Sequence, residues 1–246
     1  MSEQGPRGDR AIKGTIRRRL LVNALVDPDE AARHLPAGLR AHVVDGGTVV
    51  GCCLLDINAI RPASLPAAVG TRLRAAAHRV SVDWDDEMGA TSVGVYVPIR
   101  HTDSRAARAL GGRWFPGIHR RAAIALADDG RCLRWSVQPG DRSTEYGVRV
   151  STSIASSSMS MPCEPIGGIC VSASVGLSTD RHGVLEAARM EPDHRRVRQV
   201  EIDYVDSAFL ARFTTAQPAP SYLMRDVDVT WSEVRGPRLA PTKALR

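Results

Sequence analysis

Arginine and histidine side chains concentrate in two neighbouring stretches near the middle of the chain. The first, Tyr96-Val-Pro-Ile-Arg100-His101-Thr-Asp103-Ser, predicts a strand that leads into a capped helix. The second, Gly111-Gly-Arg113-Trp114-Phe-Pro-Gly117-Ile-His119-Arg120, bends at its glycines and proline and then re-enters a strand. Arginine binds carboxylates through paired hydrogen bonds, and histidine exchanges protons near neutral pH. Together the two stretches predict a site that binds a carboxylic acid and transfers a proton.

These residues divide into two predicted roles. The predicted catalytic residues are His119, His101 and Arg113, and the predicted substrate-binding residues are Arg100, Arg120, Tyr96 and Trp114. Each of them alone is typical of a surface or loop position, so the prediction depends on their concentration. The alternative is an internal partner: if Asp103 or Glu145 neutralises the arginines, the cluster belongs to the scaffold.

The sequence lacks the motifs of other common active sites. It contains no phosphate-binding GxxxxGK[ST] loop, no GxGxxG and no GxSxG segment. No histidine pair has the spacing of a zinc site on one helix, and a triad of His78, His101 and His119 would need tertiary structure to assemble. The cysteines are odd in number and form no CxxC pair: Cys52, Cys53, Cys132, Cys163 and Cys170. We therefore predict neither a metal nor a cofactor.

Strands dominate the elements that must position the candidate residues. Ile12–Val26 predicts a long strand that ends at Asp27-Pro28, where Asp27 caps a short helix. Asp45-Gly-Gly47 predicts a hairpin between residues 39–44 and 48–60. A helix is predicted over residues 64–80, because Leu65, Val69, Leu73 and Ala77 recur at helical spacing. Further strands are predicted over residues 79–84, 92–99, 121–127, 131–137, 144–152, 197–205 and 226–231.

This pattern predicts the α+β class, with a mostly antiparallel sheet and short helices in its connections. A second capped helix is predicted over residues 103–110 and a mobile flap over residues 156–162. Many strands in one domain tend to close into a barrel. We predict a single domain over residues 12–235, between a disordered tail at 1–11 and a second tail at 236–246.

Composition excludes several classes of partner. The chain has 246 residues, of which 43% are hydrophobic and 24% charged, which is typical of a globular protein. Its net charge is +6, but the arginines are scattered and the 4% of aromatic residues are too few to stack nucleic-acid bases. No apolar run reaches the roughly 18–20 residues of a membrane span, and the polar start lacks a signal peptide. We expect a cytoplasmic protein that binds a small molecule but neither nucleic acid nor a membrane. The sequence does not decide whether the protein forms a homo-oligomer.

Six short segments stand out by their order and spacing. They are residues 21–39, Arg61-Pro with Leu65-Pro, Gly94-Val-Tyr-Val-Pro98, Gly111-Gly-Arg-Trp-Phe-Pro116, Asp206-Ser-Ala-Phe209 and Ser221-Tyr-Leu-Met-Arg-Asp226. Together they resemble the acetoacetate decarboxylase-like superfamily, and in particular its uncharacterised bacterial branch, over about residues 13–231. The resemblance implies an antiparallel β-barrel or cone with outer helices and a central ligand cavity.

The sequence departs from that superfamily at its reactive lysine. The resemblance implies a Schiff-base lysine just after the Phe-Pro segment, but here Phe115-Pro116 is followed by Gly117, Ile118 and His119. The chain's two lysines, Lys13 and Lys243, lie near its ends. A Schiff-base decarboxylase mechanism is therefore not expected.

Two functions fit these observations. The first is an enzyme that uses non-covalent acid–base chemistry on an oxo-acid or polyketide-like molecule, for example in cyclisation, dehydration, isomerisation or decarboxylation. His119 or His101 would exchange the proton, and Arg100, Arg113 or Arg120 would hold a carboxylate or enolate. The second is a β-barrel that binds a small ligand without catalysis. An interaction protein that uses its basic surface is a weaker third hypothesis.

Overall fold

The computed structural model describes residues 11–85, 89–105, 107, 117–140, 144–154, 174–193 and 196–234. The first half of this part of the chain contains β1 (Ile12–Val26), α1 (Pro28–Ala32), β2 (Arg40–Ala41), β3 (Val43–Val44), β4 (Gly47–Pro62), β5 (Thr71–Asp85), β6 (Thr91–Tyr96) and β7 (Arg100–Thr102). The second half contains β8 (His119–Asp128), β9 (Cys132–Pro139), β10 (Val148–Ser153), β11 (Val175–Thr179), β12 (Leu185–Pro192), β13 (Arg198–Ser207) and β14 (Gln217–Val234). Single 3₁₀ turns lie at Ala67–Val69, Thr144–Tyr146 and Leu210–Arg212.

One mixed, mostly antiparallel sheet contains the fourteen strands of the described residues. Along the sheet the strands follow the order β12-β11-β6-β5-β7-β8-β9-β10-β13-β14-β1-β4-β3, with β2 added to β5. The β6–β11 and β7–β8 pairs are parallel. Because β5 also pairs with β4, and β12 with β14, the sheet closes on itself twice. The predicted α+β barrel or cone is confirmed.

The central strands β1, β4 and β5 separate two apolar interiors. Successive side chains of a strand point to opposite faces, so each of these strands serves both interiors. Leu20 of β1 and Leu54 of β4 pack into a core around Trp135. The next residues along, Leu21 and Leu55, belong to a second cluster on the opposite face.

Because side chains alternate between the two faces of the sheet, two adjacent arginines of β1 lie on opposite faces. Arg18 faces acidic side chains of β8 and β4, donating from Nε to Asp128 at 2.6 Å and from Nη1 to Asp56 at 3.1 Å. Arg19, one residue further, is 6% exposed and lies on the other face of the sheet. The short basic run at residues 17–19 therefore supplies side chains to two different environments.

Several predicted elements are confirmed. The strand Ile12–Val26 has the predicted ends, and Asp27 caps α1 by accepting from the N–H groups of Asp29 and Glu30. The predicted hairpin forms between β3 and β4. However, β2 pairs with β5, so the hairpin is shorter than predicted.

The helix predicted over residues 64–80 is wrong. The chain forms a 3₁₀ turn at Ala67–Val69 and then enters β5 at Thr71. Small and aliphatic residues such as Leu73, Ala75 and Ala77 satisfy a period of two as well as a helical period. β4 decides between them, because it pairs with β5 from Ile57↔Leu73 to Val50↔Val80 and supplies its backbone hydrogen bonds.

Other predicted elements are shifted or lie outside the described residues. The strand predicted at residues 144–152 begins only at Val148, after a 3₁₀ turn, and β11 and β12 were not predicted. Ser104 accepts from the Ala107 N–H at 3.1 Å, as a helix cap does. Half of the predicted helix at 103–110, the flap at 156–162, residues 1–10 of the first predicted tail and the whole second tail lie outside the described residues.

Candidate functional site

A cavity of about 170 Å³ lies on the face of the central strands that carries Arg19. Its charged or titratable lining residues are Arg19, Cys53, Arg79, Arg100, His101 and His119. Most of the remaining lining is aliphatic, with Met190 and Trp231 in addition. Asp and Glu are absent from the described residues of this lining.

Arg100 enters the cavity from β7, a short strand between β5 and β8. Its Nη1 donates to the Ser178 hydroxyl. Burial lowers the pKa of Arg100 to about 10, while Cys53 and Glu186 act in the opposite direction. A group with that pKa stays protonated at neutral pH, so the cavity contains a permanent positive charge.

Two glycines make room for the Arg100 guanidinium. Gly117 has φ +86°, and a Cβ there would lie 2.5 Å from Ser178 Cβ and 3.1 Å from Arg100 Nη1. A Cβ at Gly176 would lie 3.6 Å from Arg100 Nη2. The Gly117 N–H donates to Glu186 Oε2 at 3.1 Å. Burial raises the pKa of Glu186, against the effects of this N–H and of Arg100.

Arg19 reaches the cavity from β1 and contacts two sulfur atoms. Its Nε donates to Cys53 Sγ at 3.3 Å and its Nη1 to Met224 Sδ at 3.6 Å. Thiol and thioether sulfurs are weak acceptors. The first contact directs the guanidinium towards Cys53, which pairs with Ala77, the β5 residue opposite Arg100.

Arg79 lines the cavity from β5 and is 2% exposed. Its Nη2 donates to Asn23 Oδ1 at 2.6 Å. Its Nε has no hydrogen-bond partner among the described residues. A neutral amide oxygen does not neutralise a guanidinium, and a buried charge is costly unless it is paired.

The two histidines of the cavity lie on adjacent strands. His119 begins β8 opposite Arg100, and His101 follows Arg100 on β7. The His101 ring is fully buried and lies 6.2 Å from the ring of His78. His78 Nδ1 is 3.2 Å from Cys52 Sγ. Burial, assisted by His101, lowers the pKa of His78 to about 3, so His78 is neutral at physiological pH.

The structure brings together three of the predicted site residues and separates others. Arg100, His101 and His119 line one cavity, but the His101 ring turns to the opposite face of the sheet, beside His78 and Tyr146. Tyr96 does not: it packs into a different apolar cluster, and its hydroxyl lies 3.2 Å from Thr179 Oγ1. Arg120 is exposed and lines a groove on the outer surface. These two placements correct the expectation of a single cluster, because neighbouring residues of a strand point to opposite faces.

The other candidates of the sequence have separate environments. Arg113 and Trp114 lie outside the described residues. Asp103, a proposed internal partner, accepts from the backbone N–H of Arg74 at 2.8 Å, and Glu145 is exposed. Sequence reasoning missed Arg19 and Arg79. The available signal was an arginine inside an otherwise apolar strand, but it does not specify which face the arginine occupies.

Solved structures with the same architecture are known. An acetoacetate decarboxylase-like enzyme from Sphingomonas wittichii RW1 aligns with a TM-score of 0.61 and 15% identity over 98% of both chains. The acetoacetate decarboxylase from Legionella pneumophila aligns with a TM-score of 0.58 and 12% identity, over 96% of this chain and 94% of that one. The chain has the acetoacetate decarboxylase-like fold. A further structure with this fold is the enduracididine biosynthesis enzyme MppR, complexed with the condensation product of pyruvate and imidazole 4-carboxaldehyde. It aligns with a TM-score of 0.62 and 11% identity, over 93% of this chain and 88% of that one.

Sequence similarity is much weaker than this similarity of fold. No protein-family model matches the chain, and no curated protein matches it significantly in sequence. The fold implied by the six segments is confirmed by these solved structures.

Within this acetoacetate decarboxylase-like fold, the described part of the cavity contains no lysine. Lys13 is exposed at the start of β1, and Lys243 lies outside the described residues. Over the same described residues, no three His, Cys, Asp or Glu side chains are grouped so that they could hold a metal ion. None of the helices that the structure describes has the length and apolar character needed to cross a membrane.

The close approach at Gly117 gives a prediction about stability. Gly117→Ala is expected to destabilise the protein by about 2–5 kcal/mol, from a left-handed backbone and a clash with Ser178. Gly130 is the matched control, since it has φ +84° but a Cβ added there would meet nothing within 4 Å. Gly130→Ala should therefore cost only the backbone part, about 1–2 kcal/mol. Urea unfolding of both variants measures the difference, and equal losses would show that the contact is unimportant.

Proposed function

We propose that this chain is an enzyme that acts on a small oxo-acid or polyketide-like molecule by acid–base chemistry, without a Schiff base. The observation that carries the proposal is that Arg100, His101 and His119 line one small cavity whose remaining lining is mostly apolar. Hydrogen-bond donors that are fixed in an apolar cavity stabilise developing negative charge much better than water does.

The residues suggest a division of roles for removal of a proton next to a carbonyl group. His119, which pairs with Arg100, accepts the proton on a ring nitrogen. The C–H electron pair becomes the C=C bond of an enolate, and the carbonyl π electrons move onto the oxygen. Arg100 stays protonated and supplies charge-assisted hydrogen bonds to the enolate or the carboxylate. The described part of the cavity offers no lysine for covalent attachment. MppR, which has the same fold, has been solved with pyruvate, a 2-oxo acid, and this supports the substrate class.

Proton exchange in heavy water tests this function. Wild-type protein is incubated with pyruvate or acetoacetate in D₂O, and NMR follows the loss of C–H signals next to the carbonyl against a protein-free sample. We expect wild-type protein to accelerate exchange and His119→Ala to lower the rate by about 10²–10⁴-fold. The matched control is His182→Ala, since His182 is exposed in a turn and should not affect exchange.

Two further outcomes separate the hypotheses. Borohydride should trap no substrate adduct inside the protein, and an adduct on an interior residue would contradict chemistry without a Schiff base. The mostly apolar lining also fits a barrel that only binds a ligand. Saturable binding of either acid without exchange, in wild-type protein, would favour that second function.

A further inference from the structure

One row of residues crosses the central sheet on the face of the cavity. Cys53 of β4 pairs with Ala77 of β5, which also pairs with Arg100 of β7. All three residues line the cavity. Neighbouring strands lie about 4.8 Å apart, so the backbones at Cys53 and Arg100 are separated by about 10 Å. Because the residue between them is alanine, there is room for a small molecule between the thiol and the guanidinium.

Two guanidinium groups act on the Cys53 thiol. Arg19 Nε donates to Cys53 Sγ at 3.3 Å. Burial lowers the pKa of Arg100, while the charge interaction with Cys53 raises it, so a positive Arg100 and a negative sulfur favour each other. The thiolate is the nucleophilic form of cysteine, and reactive cysteines lie beside cationic side chains. The surroundings of Cys53 are therefore typical of a reactive cysteine.

The adjacent Cys52 has the opposite properties. It lies on the other face of β4, where its Sγ is 3.2 Å from His78 Nδ1 and 3.6 Å from the Ser207 hydroxyl. Its side chain is fully buried, and burial raises the pKa of its thiol to about 11. Cys52 therefore stays protonated at neutral pH, and it is a poor nucleophile. The chain thus contains an inert thiol directly beside the thiol of the cavity.

A buried arginine of the same cavity indicates what its ligand must carry. Arg79 shares the cavity face of β5 with Ala77 and is almost fully buried. Its Nε has no hydrogen-bond partner among the described residues, and a buried donor is costly unless it meets an acceptor. A ligand with an oxygen acceptor would supply this partner. The ligand is also small, because an apolar cavity of about 150 Å³ holds one benzene molecule and this cavity has about 170 Å³.

We infer that Cys53 is a nucleophile that adds to a short α,β-unsaturated carbonyl compound bound in this cavity. The sulfur forms a bond to the β-carbon. The Cα=Cβ π electrons become the C=C bond of an enolate, and the carbonyl π electrons move onto the oxygen. The thiol proton leaves to water, and the α-carbon takes a proton from water, so the product is a thioether and no other reactant is consumed.

The row of residues assigns a role to each charged group in this addition. Arg100, on the other side of Ala77 from Cys53, donates hydrogen bonds to the enolate oxygen. Arg19 is a positioning residue, because its Nε–H holds the sulfur and favours the thiolate. The inference goes beyond the proposed function, since the addition requires no proton removal from a saturated carbon.

Labelling with a small conjugated ketone tests the inference. Wild-type protein is incubated at pH 7 with cyclohex-2-enone or, as the matched control, with cyclohexanone, which lacks the conjugated double bond. Peptide mass spectrometry identifies the modified cysteines. Cys53 should react at least about tenfold faster than the half-buried Cys132, and Cys52 should stay unmodified. Cyclohexanone should give no adduct. Folded protein in which Cys53 is unmodified, or reacts more slowly than Cys132, overturns the inference.

Two pairs of variants assign the reactive thiol and its neighbour. Cys53→Ala should abolish the fast adduct, and Cys52→Ala, which removes the thiol of the other face, should retain it. Arg19→Met should slow the reaction of Cys53 at least about tenfold and raise the pH at which the rate is half-maximal. A merely structural role of Arg19 would not move that pH. Arg17→Met is the matched control, because Arg17 pairs with Asp226 at the surface, and it should react at the wild-type rate.

Two results from these variants contradict the inference. The first is a fast adduct that persists in Cys53→Ala. The second is a folded Arg19→Met protein with the rate and the pH profile of wild type. If Arg19→Met does not fold, the two cysteine variants still decide the outcome.

The outcomes distinguish this inference from the proposed function. Protein that exchanges protons of pyruvate or acetoacetate but leaves Cys53 unmodified retains the proposed function and loses the inference. Protein that reacts with cyclohex-2-enone at Cys53 but exchanges no protons of either acid retains the inference and loses the proposed function.

Discussion

Replacing Arg100 by methionine should lower the rate of proton exchange next to the substrate carbonyl by at least about a hundredfold, or roughly 2.7 kcal/mol of transition-state stabilisation. Arg100 lines the cavity together with His101 and His119, and it remains charged although burial lowers its pKa to about 10. Methionine has a similar length but cannot donate hydrogen bonds or stabilise an enolate. The NMR exchange assay in D₂O measures the loss directly.

The same variant should keep its fold, because methionine matches the flexible arginine stem and removes a charge that burial disfavours. The matched control is Arg134→Met, since Arg134 is exposed on β9. It should exchange protons at the wild-type rate. If Arg100→Met is folded and as active as Arg134→Met, the cavity does not carry the proposed reaction.

The stability of the wild-type protein should fall more steeply with decreasing pH than that of His78→Gln. His78 is fully buried, and its pKa in the folded protein is about 3. The unfolded chain binds the proton near pH 6.5, so below that pH the unfolded state holds one proton more than the folded state. Stability from the neutral histidine is complete above pH 6.5 and is lost progressively as the pH falls towards 3. The expected loss is up to about 1.4 kcal/mol per pH unit.

Urea unfolding of the two proteins at pH 7, 6, 5 and 4 tests this linkage. Glutamine is neutral at every pH, and all other titrating groups are shared, so the difference between the two proteins reports on His78 alone. His182→Gln is the control for losing an exposed histidine, because His182 lies in a solvent-facing turn. Parallel stability curves for wild type and His78→Gln would mean that His78 is protonated in the folded protein as readily as in the unfolded chain.

Local sequence signals were sufficient where an element depends on its own residues. β1 ends where predicted because a helix begins directly after it. The Asp27 side chain caps that helix, and Pro28 suits its first turn. Asp45-Gly-Gly47 produces its hairpin because residues 45 and 46 adopt positive φ angles, which such residues tolerate. Many short strand patterns likewise indicated a sheet that closes, and the structure confirms it.

Pairing partners decided what local signals left open. Residues 71–80 satisfy a helical period as well as a strand period, and the hydrogen bonds offered by β4 select the strand. The set of residues that lines the cavity also depends on how the strands pair. The sequence indicated Arg100, His101 and His119 because they lie close together along the chain, but it offered no reason to choose Arg19 over Arg18.

Only the tertiary structure made that choice. The register between β1 and β4 shifts between Lys13 and Thr15 and again between Ile16 and Arg18, and each shift of one residue exchanges the two faces of a strand. Arg19 consequently faces the cavity while Arg18 faces Asp56. The sequence by itself determined the strand-rich class and the residue types available for acid–base chemistry. Which arginines enter the cavity was decided by register, a property of pairs of strands that no single segment contains.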